Sequence, residues 1–176
     1  TAYGIVCEEL ERGDSSVRSC VSVQSSLVMG AIHAFGSEEQ GTQWLPQLAR
    51  GEKLGCFALT ESHGGSDPVR MRTRARRRGA DWVLDGAKHW ITNGALAHVA
   101  IVWAAGHDGI NAFLVEKGMS GFESRVIKNK LSLRASSTAE LMLADVRVPD
   151  SARLPEAHGI KAALRCLDDA RFGIAW

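Results

Sequence analysis

The chain of 176 residues lacks any apolar run approaching the roughly 18 to 20 consecutive residues that a membrane span requires, which excludes a helical span. It has no CxxC pair. Cys7, Cys20, Cys56 and Cys166 are widely separated and read as small core residues in a reducing compartment, not as a disulfide or metal framework. The six histidines have no HExxH-type spacing, so no metal site is expected. Charge of one sign is lacking too: at net +1 there is no bulk attraction to nucleic acid, an anionic membrane or an acidic partner. The opening stretch, "TAYGIVCEELERGD", carries acids early and lacks the basic, apolar and cleavage regions of a signal peptide. It also lacks an initiator Met, which leads us to expect a start upstream. What remains, 45% hydrophobic and 23% charged, matches a globular protein.

The first fifty residues carry helical periodicity. Ile5, Val6 and Leu10 fall near one face before Gly13-Asp14 breaks the pattern. Val17, Val21, Leu27, Val28 and Ile32 then predict a helix over 15–35, lined by Ser19, Ser22, Ser25 and Ser26, which would allow a close approach. Gly36 reads as a C-cap, Ser37 with Gln40 as a capping box, and Leu45-Pro46 as the interruption of the helix that follows. From Lys53 the pattern changes. "LGCFALT", "WVLDGAKHWIT", "HVAIVWAA", "INAFLVE" and "AELMLADVRV" are short β-rich segments separated by "RGAD", "GHDG" and "KGMSG". Strands so spaced, with no helices between them, predict an antiparallel barrel or sandwich. After Pro149 a helical pattern returns.

"RMRTRARRR", residues 70–78, holds six arginines, but Arg70, Arg72, Arg74 and Arg76 alternate with Met71, Thr73 and Ala75. That is the period of a half-buried strand. No aromatics interleave to stack bases, so a solvated strand face is preferred over a docking surface for an acidic partner or nucleic-acid binding.

Three polar clusters remain. "GCFALTESHGGSDP" ends an apolar strand at Thr60 and continues through a glycine pair that can be a plain turn or a phosphate-binding nest. "HWITN" places an aromatic and a hydroxyl at another strand's end. "CLDDAR" sets Asp168 and Arg171 one helical turn apart. A flat heteroaromatic cofactor needs hydroxyl or backbone partners at its edge and a bulky group against its ring, and Thr60, Thr92 and Trp90 meet that need. Singly, Trp90 reads as core and Asp168/Arg171 as a surface pair.

In this order, "LTESHGGSD", "KHWITN", "LRASSTAELMLADVRVP" and "ARFGIAW" resemble the acyl-CoA dehydrogenases. "ELERGDSSVRSCVSVQSSLVM" with "LPQLARGEKLGCFALTE" most resembles the glutaryl-CoA dehydrogenase branch. The resemblance spans essentially the whole chain. It implies an α+β arrangement: a helical N-terminal domain (1–52), an antiparallel β-barrel middle domain (53–152) and the start of a C-terminal helical domain (153–176). It also implies an FAD site. The loop from Phe57 to Ser66 would line the flavin, with Leu59 and Thr60 at its pyrimidine edge and Gly65 and Ser66 by the diphosphate and the substrate's pantetheine. Trp90, Ile91 and Thr92 would sit against the ring and near its reactive nitrogen. Leu164, Asp168 and Arg171 would contact the CoA part of the substrate. In the glutaryl branch an Arg-Ser pair binds the substrate's distal carboxylate, which assigns Arg18 and Ser19 that task and puts Glu11 in the same pocket. An arginine fork suits a carboxylate, yet the Gly13-Asp14 break means that helix geometry alone does not bring Glu11 to Arg18. Ser62-His63 replaces a proline common in relatives, which loosens the loop. Val17 replaces an aromatic, which leaves the shape of the acyl pocket open.

The resemblance implies removal of the proton α to the thioester by a carboxylate base, hydride transfer to FAD, decarboxylation of glutaryl-CoA to crotonyl-CoA, and electrons passed to an electron-transferring flavoprotein. It further implies a homotetramer, lysine and tryptophan degradation, and bacterial cytoplasm or mitochondrial matrix. The family's catalytic glutamate falls beyond residue 176, so no catalytic residue is assigned here and these residues alone are expected to be inactive. Two readings stand beside this one: a dehydrogenase of another short or branched acyl-CoA, and a non-catalytic docking module built on the arginine strand.

Overall fold

A computed structural model describes residues 2–176. Helices α1 (Ala2–Gly13) and α2 (Ser15–Ser22) are separated at Asp14, whose extended backbone and side chain, accepting from Ser16 N–H at 2.6 Å, restart the helix. The helix predicted over 15–35 is continuous in direction but changes its winding. A π-helical segment, Val23–Met29, lies between α2 and α3 (Gly30–Phe35). Its Gln24 reaches out of the winding to bond the carbonyls of Leu48 and Lys53 and the N–H of Gly55, tying the helices to the start of the sheet. Helix α4 (Glu38–Ala49) begins with the expected Ser37/Gln40 capping box.

Two expectations for the helices fail. Helix α4 does not stop at Leu45-Pro46 but runs through Pro46 to Ala49. The lost backbone bond is outweighed because Trp44 and Leu48, on either side of the proline, are buried in the core. In α1 the buried positions are Gly4 and Cys7, whereas Ile5 and Val6 are about half exposed. The face that packs inward is set by the close approach of α5 (Gly159–Ile174) and the residues after it: Trp176 lies on Gly4, and Tyr3 on Gly173.

The sheet has seven strands: β1 (Gly55–Ala58), β2 (Arg74–Arg78), β3 (Asp81–Thr92), β4 (Val99–Gly106), β5 (Gly109–Glu116), β6 (Phe122–Val126) and β7 (Thr138–Pro149). The helix–sheet–helix order is the expected one, but the sheet is mixed and not wholly antiparallel. Strand β1 runs parallel to β4, and β2 touches β4 in parallel through Arg74 and Ala105. The reason is spatial: β1 enters from the helical layer beside β4, with no hairpin to reverse it. Strand β6 was not foreseen, since its pattern has one half-buried residue, Phe122, followed by four exposed ones. The arginine strand alternates as predicted, with Met71, Thr73 and Ala75 buried and Arg70, Arg72, Arg74 and Arg76 exposed.

Strand β4 is apolar on both faces. Val99, Ile101 and Trp103 pack towards the helices with Val28, Ile32 and Leu48, while Ala100, Val102 and Ala104 face the interior of the curled sheet with Trp82, Phe113 and Leu141. A strand covered on both sides reads as a continuous apolar run, as it does here. The four cysteines are free, and burial pushes the Cys56 thiol up to about 12 and that of Cys166 to about 11. Among the described residues no His/Cys/Asp/Glu cluster could hold a metal, and no helix is long and apolar enough to cross a membrane.

Candidate functional site

The register between β3 and β7 slips between Lys88 and Ile91: three steps along β3 match two along β7. The extra residue makes a bulge that turns the local backbone. Trp90 sits there at φ 60, a conformation unfavourable to a bulky side chain, and its indole is 56% exposed instead of filling the core. The bare reading of Trp90 as core is therefore corrected. His89 braces it, edge-on to the indole with ring centroids 5.0 Å apart, and donates its own backbone N–H to the Thr60 carbonyl at 2.9 Å. That bond ties the end of the β1 segment to the bulge, so Thr60 and Trp90 stand beside one cavity.

The cavity has a volume of about 230 Å³. Phe57, Leu59, Thr60, Gly65, Ser66, Trp90, Ile91 and Thr92, all eight residues expected at a cofactor, line it. Leu164 and Arg171 line it from α5, joined by Leu167 one turn along the same face. Val23 and Leu27, one turn apart in the π-helical segment, close the remaining side, and Pro68 completes the rim. Sequence reasoning missed Val23, Leu27, Leu167 and Pro68. The first two were visible as an apolar pair four residues apart, but nothing in the pattern announced a π winding.

Other expected residues lie elsewhere. Asp168 is exposed and does not line the cavity; it pairs with Arg171 at 3.4 Å as an i,i+3 surface pair. Glu11, Arg18 and Ser19 are also outside the cavity lining. Arg18 and Glu11 are nevertheless together: the Arg18 Nε donates to Glu11 Oε2 at 2.6 Å across the Asp14 break. Hydrogen bonds from Arg18 and Ser15 hold the Glu11 carboxyl below its usual range. The Arg18 side chain is 14% exposed, and its two terminal nitrogens have no protein partner among the described residues. Ser19 is four residues and Arg18 five residues before Val23, on the helical segment that leads into the cavity wall.

Behind the cavity is an ion pair that the sequence reading did not single out. Lys88 is fully buried on β3, its Nζ 2.9 Å from Glu61 Oε1 and 3.0 Å from the Leu59 carbonyl. Glu61 also accepts from the N–H groups of Arg72 (2.6 Å) and Thr73 (2.9 Å). Burial pushes the Glu61 carboxyl up, but those hydrogen bonds and the Lys88 ammonium outweigh it and bring it to about 2. Burial lowers Lys88 to about 8, with Glu61 opposing the shift. The pair joins the segment after β1, the approach to β2 and the middle of β3, which carry two sides of the cavity. A signal existed, a lysine in the same alternation as the inward Trp82 and Leu84, but its partner 27 residues away is visible only in space.

The lining fits part of a flat, partly polar ring. Leu59, Phe57, Val23 and Leu27 are apolar walls, Thr60 and Thr92 supply hydroxyls at one edge, and an exposed indole stands at the mouth. The volume is below the about 300–1,000 Å³ of a complete site for a ligand of cofactor size, so these residues hold one portion of such a group. No carboxylate lines the cavity among the described residues.

Comparison with known proteins yields a consistent set. The family model described as acyl-CoA dehydrogenase, middle domain, matches residues 56–146, and that described as acyl-CoA dehydrogenase, N-terminal domain, matches residues 1–52. A crystal structure of glutaryl-CoA dehydrogenase from Mycobacterium smegmatis superposes with a TM-score of 0.97 at 61% identity, covering 98% of this chain and 45% of that one. A second structure of a glutaryl-CoA dehydrogenase from that organism, in complex with FADH2, has a TM-score of 0.97 at 59% identity with the same coverage. The short-chain specific acyl-CoA dehydrogenase, mitochondrial, of Rattus norvegicus is 43% identical over 180 residues, covering 99% of this chain and 44% of that protein. The chain thus spans less than half the length of the relatives it matches.

Proposed function

The chain belongs to the acyl-CoA dehydrogenase family, and from that premise we propose that it is part of an FAD-dependent oxidoreductase that dehydrogenates glutaryl-CoA and decarboxylates it to crotonyl-CoA. The observation that carries the family activity is the single cavity in which Thr60, Trp90 and Thr92 meet Leu164 and Arg171 of α5. In this reading Leu59 and Thr60 bond the pyrimidine edge of the flavin, and Gly65 and Ser66 approach its diphosphate and the pantetheine. Trp90 covers the ring, with Ile91 and Thr92 beside it. The α5 residues Leu164 and Arg171 steer the CoA part, Asp168 acting through its pair with Arg171. When bound, FAD supplies the hydride acceptor for the β-carbon.

The chain's own residues exclude water with the apolar wall of Val23, Leu27 and Phe57 and orient the thioester between β3 and α5. In this reading a carboxylate base takes the α-proton, and no carboxylate lines the cavity among the described residues. An electron-transferring flavoprotein is the acceptor of this reading, and a homotetramer its assembly.

Glutaryl specificity is supported by Arg18. Its Nε is taken by Glu11 and its terminal nitrogens have no protein partner among the described residues, at low exposure, on the helix that leads five residues later into Val23 of the cavity wall. A free arginine fork in that position matches a carboxylate on the far end of an acyl chain. The 43% identity to short-chain enzymes favours a second reading, an unsubstituted short acyl-CoA.

The test is Arg18→Ala in the FAD-loaded, full-length protein, with glutaryl-CoA and butyryl-CoA compared. We expect kcat/KM for glutaryl-CoA to drop at least about 30-fold, the cost of leaving a charge pair broken, with butyryl-CoA within a few-fold of wild type. Undiminished glutaryl-CoA turnover overturns the clamp and leaves the short-chain reading. Failure of the full-length protein to take up FAD overturns the family activity for this chain.

A further inference from the structure

The peptide between Leu59 and Thr60 is held more firmly than the end of a short strand requires. Three successive carbonyls are taken in order: Leu59 by the Lys88 Nζ at 3.0 Å, Thr60 by the His89 N–H at 2.9 Å and Glu61 by the Gly64 N–H at 3.1 Å. Lys88 and His89 are consecutive on β3, so two neighbouring residues of that strand grip two neighbouring carbonyls of the segment after β1. Lys88 is itself fixed. Its side chain is fully buried, its Nζ is 2.9 Å from Glu61 Oε1, and Glu61 is pinned from behind by the N–H groups of Arg72 and Thr73. In a planar trans peptide the C=O and the N–H that follows it point in opposite directions. A Leu59 carbonyl drawn to Lys88 therefore turns the Thr60 N–H the other way, and that N–H has no protein partner among the described residues. Thr60 lines the cavity.

We propose that Lys88, held by Glu61, is a positioning residue for the cavity: it turns and polarises the Leu59–Thr60 peptide, so that the Thr60 N–H stands as a strengthened donor to the edge of the bound ring. This role presupposes the FAD reading of the cavity and adds to it a group that acts from behind the wall. An ammonium on a carbonyl oxygen makes a charge-assisted bond, stronger than a neutral amide donor would make. It also draws electron density from the whole amide and makes its N–H the better donor, as hydrogen bonds in a chain polarise one another. Here the chain runs from the Arg72 and Thr73 N–H groups through Glu61 and Lys88 to Leu59, and ends at Thr60. A flavin that has accepted electrons carries more negative charge on its ring, so a strengthened donor at the ring edge favours the reduced form over the oxidised one. A plain structural tie between these segments is the competing role, and it predicts an effect on stability alone.

The experiment uses the FAD-loaded, full-length protein and compares wild type with the Lys88→Met, Glu61→Gln double variant, with Glu61→Gln alone and with Val148→Ala. Val148 is buried and pairs with Trp82 at the far end of β3, so its truncation lowers stability without touching the Leu59–Thr60 peptide. Melting temperature and the two-electron reduction potential of the flavin are measured for each. We expect the double variant to favour the reduced flavin about tenfold less than wild type does, which for a two-electron couple is a potential lower by about 30 mV. Glu61→Gln keeps the Lys88 donor but removes the carboxylate that holds it charged, and its potential falls between the two. Val148→Ala melts at a lower temperature and keeps the wild-type potential. A double variant at the wild-type potential overturns the positioning role and leaves a structural tie. A matching shift in Val148→Ala overturns it too, because general loosening then explains both. If the double variant takes up no FAD, Glu61→Gln decides alone, and an unchanged potential there overturns the role. Failure of the wild-type protein itself to take up FAD overturns the flavin reading and this role with it.

Discussion

Lys88 has no exposed surface, and its ammonium is held by one carboxylate and one carbonyl. A buried pair of this kind adds little net stability by itself, but removal of one partner strands the other charge in a medium that cannot solvate it. Lys88→Met is expected to cost about 3 to 5 kcal/mol in urea unfolding, because Glu61 stays buried without its cation. Lys88→Met together with Glu61→Gln should recover a large part of that loss, since glutamine still accepts from the Thr73 N–H and carries no charge. A single variant within 1 kcal/mol of wild type contradicts this account. At the same scale the sequence was a partial guide. Thr60, Trp90 and Thr92 were legible as polar or aromatic residues closing apolar strands, and they line one cavity. Asp168 carried an equally suggestive spacing but faces solvent, because a helical repeat says which residues are neighbours and not which way the helix is turned.

The elements work through two irregularities. The π winding at Val23–Met29 presents Val23 and Leu27 to the cavity and Val28 to the sheet, where Val28 fills the space that a side chain at Gly55 would need. A side chain at Gly55 would overlap Val28, and β1 cannot retreat because Gln24 and the parallel ladder with β4 hold it. Gly55→Ala should therefore destabilise the protein by about 1 to 3 kcal/mol in a thermal melt, with Val28→Ala as a partial rescue in the double variant. If the two substitutions are simply additive, this helix–sheet contact is not the cause. The bulge at His89–Trp90 is the other irregularity, and it alone converts Trp90 from a core position to the cavity mouth. The capping box at Ser37 was read in advance, because capping is a chemistry of residues three apart. Neither irregularity could be, because each depends on a neighbouring element: α2 to α3 wind against the sheet, and β3 slips against β7.

At the scale of the whole molecule, the buried charges make stability depend on pH. Glu61 stands at about 2 in the folded chain against an ordinary 4.5. Between those values the unfolded chain takes up a proton that the folded chain refuses, so stability falls as pH drops through that window. The loss attributable to Glu61 is about 3 kcal/mol, and Glu61→Gln should flatten this acid limb in urea titrations from pH 5 to pH 2. Lys88, lowered to about 8 from 10.5, has the same sign at the other end, and its contribution rises with pH across that interval. By itself the sequence determined the order helices, sheet, helix, the alternation of the arginine strand, the helix caps and the polar strand ends, all of which depend on residues a few positions apart. Only the tertiary structure decided that the sheet is mixed, that Lys88 finds Glu61, that Arg18 finds Glu11 across a helix break, and that Thr60 and Trp90 share one cavity with α5. Those features are pairings between distant segments, and burial energy selects them only once the layers have closed on each other.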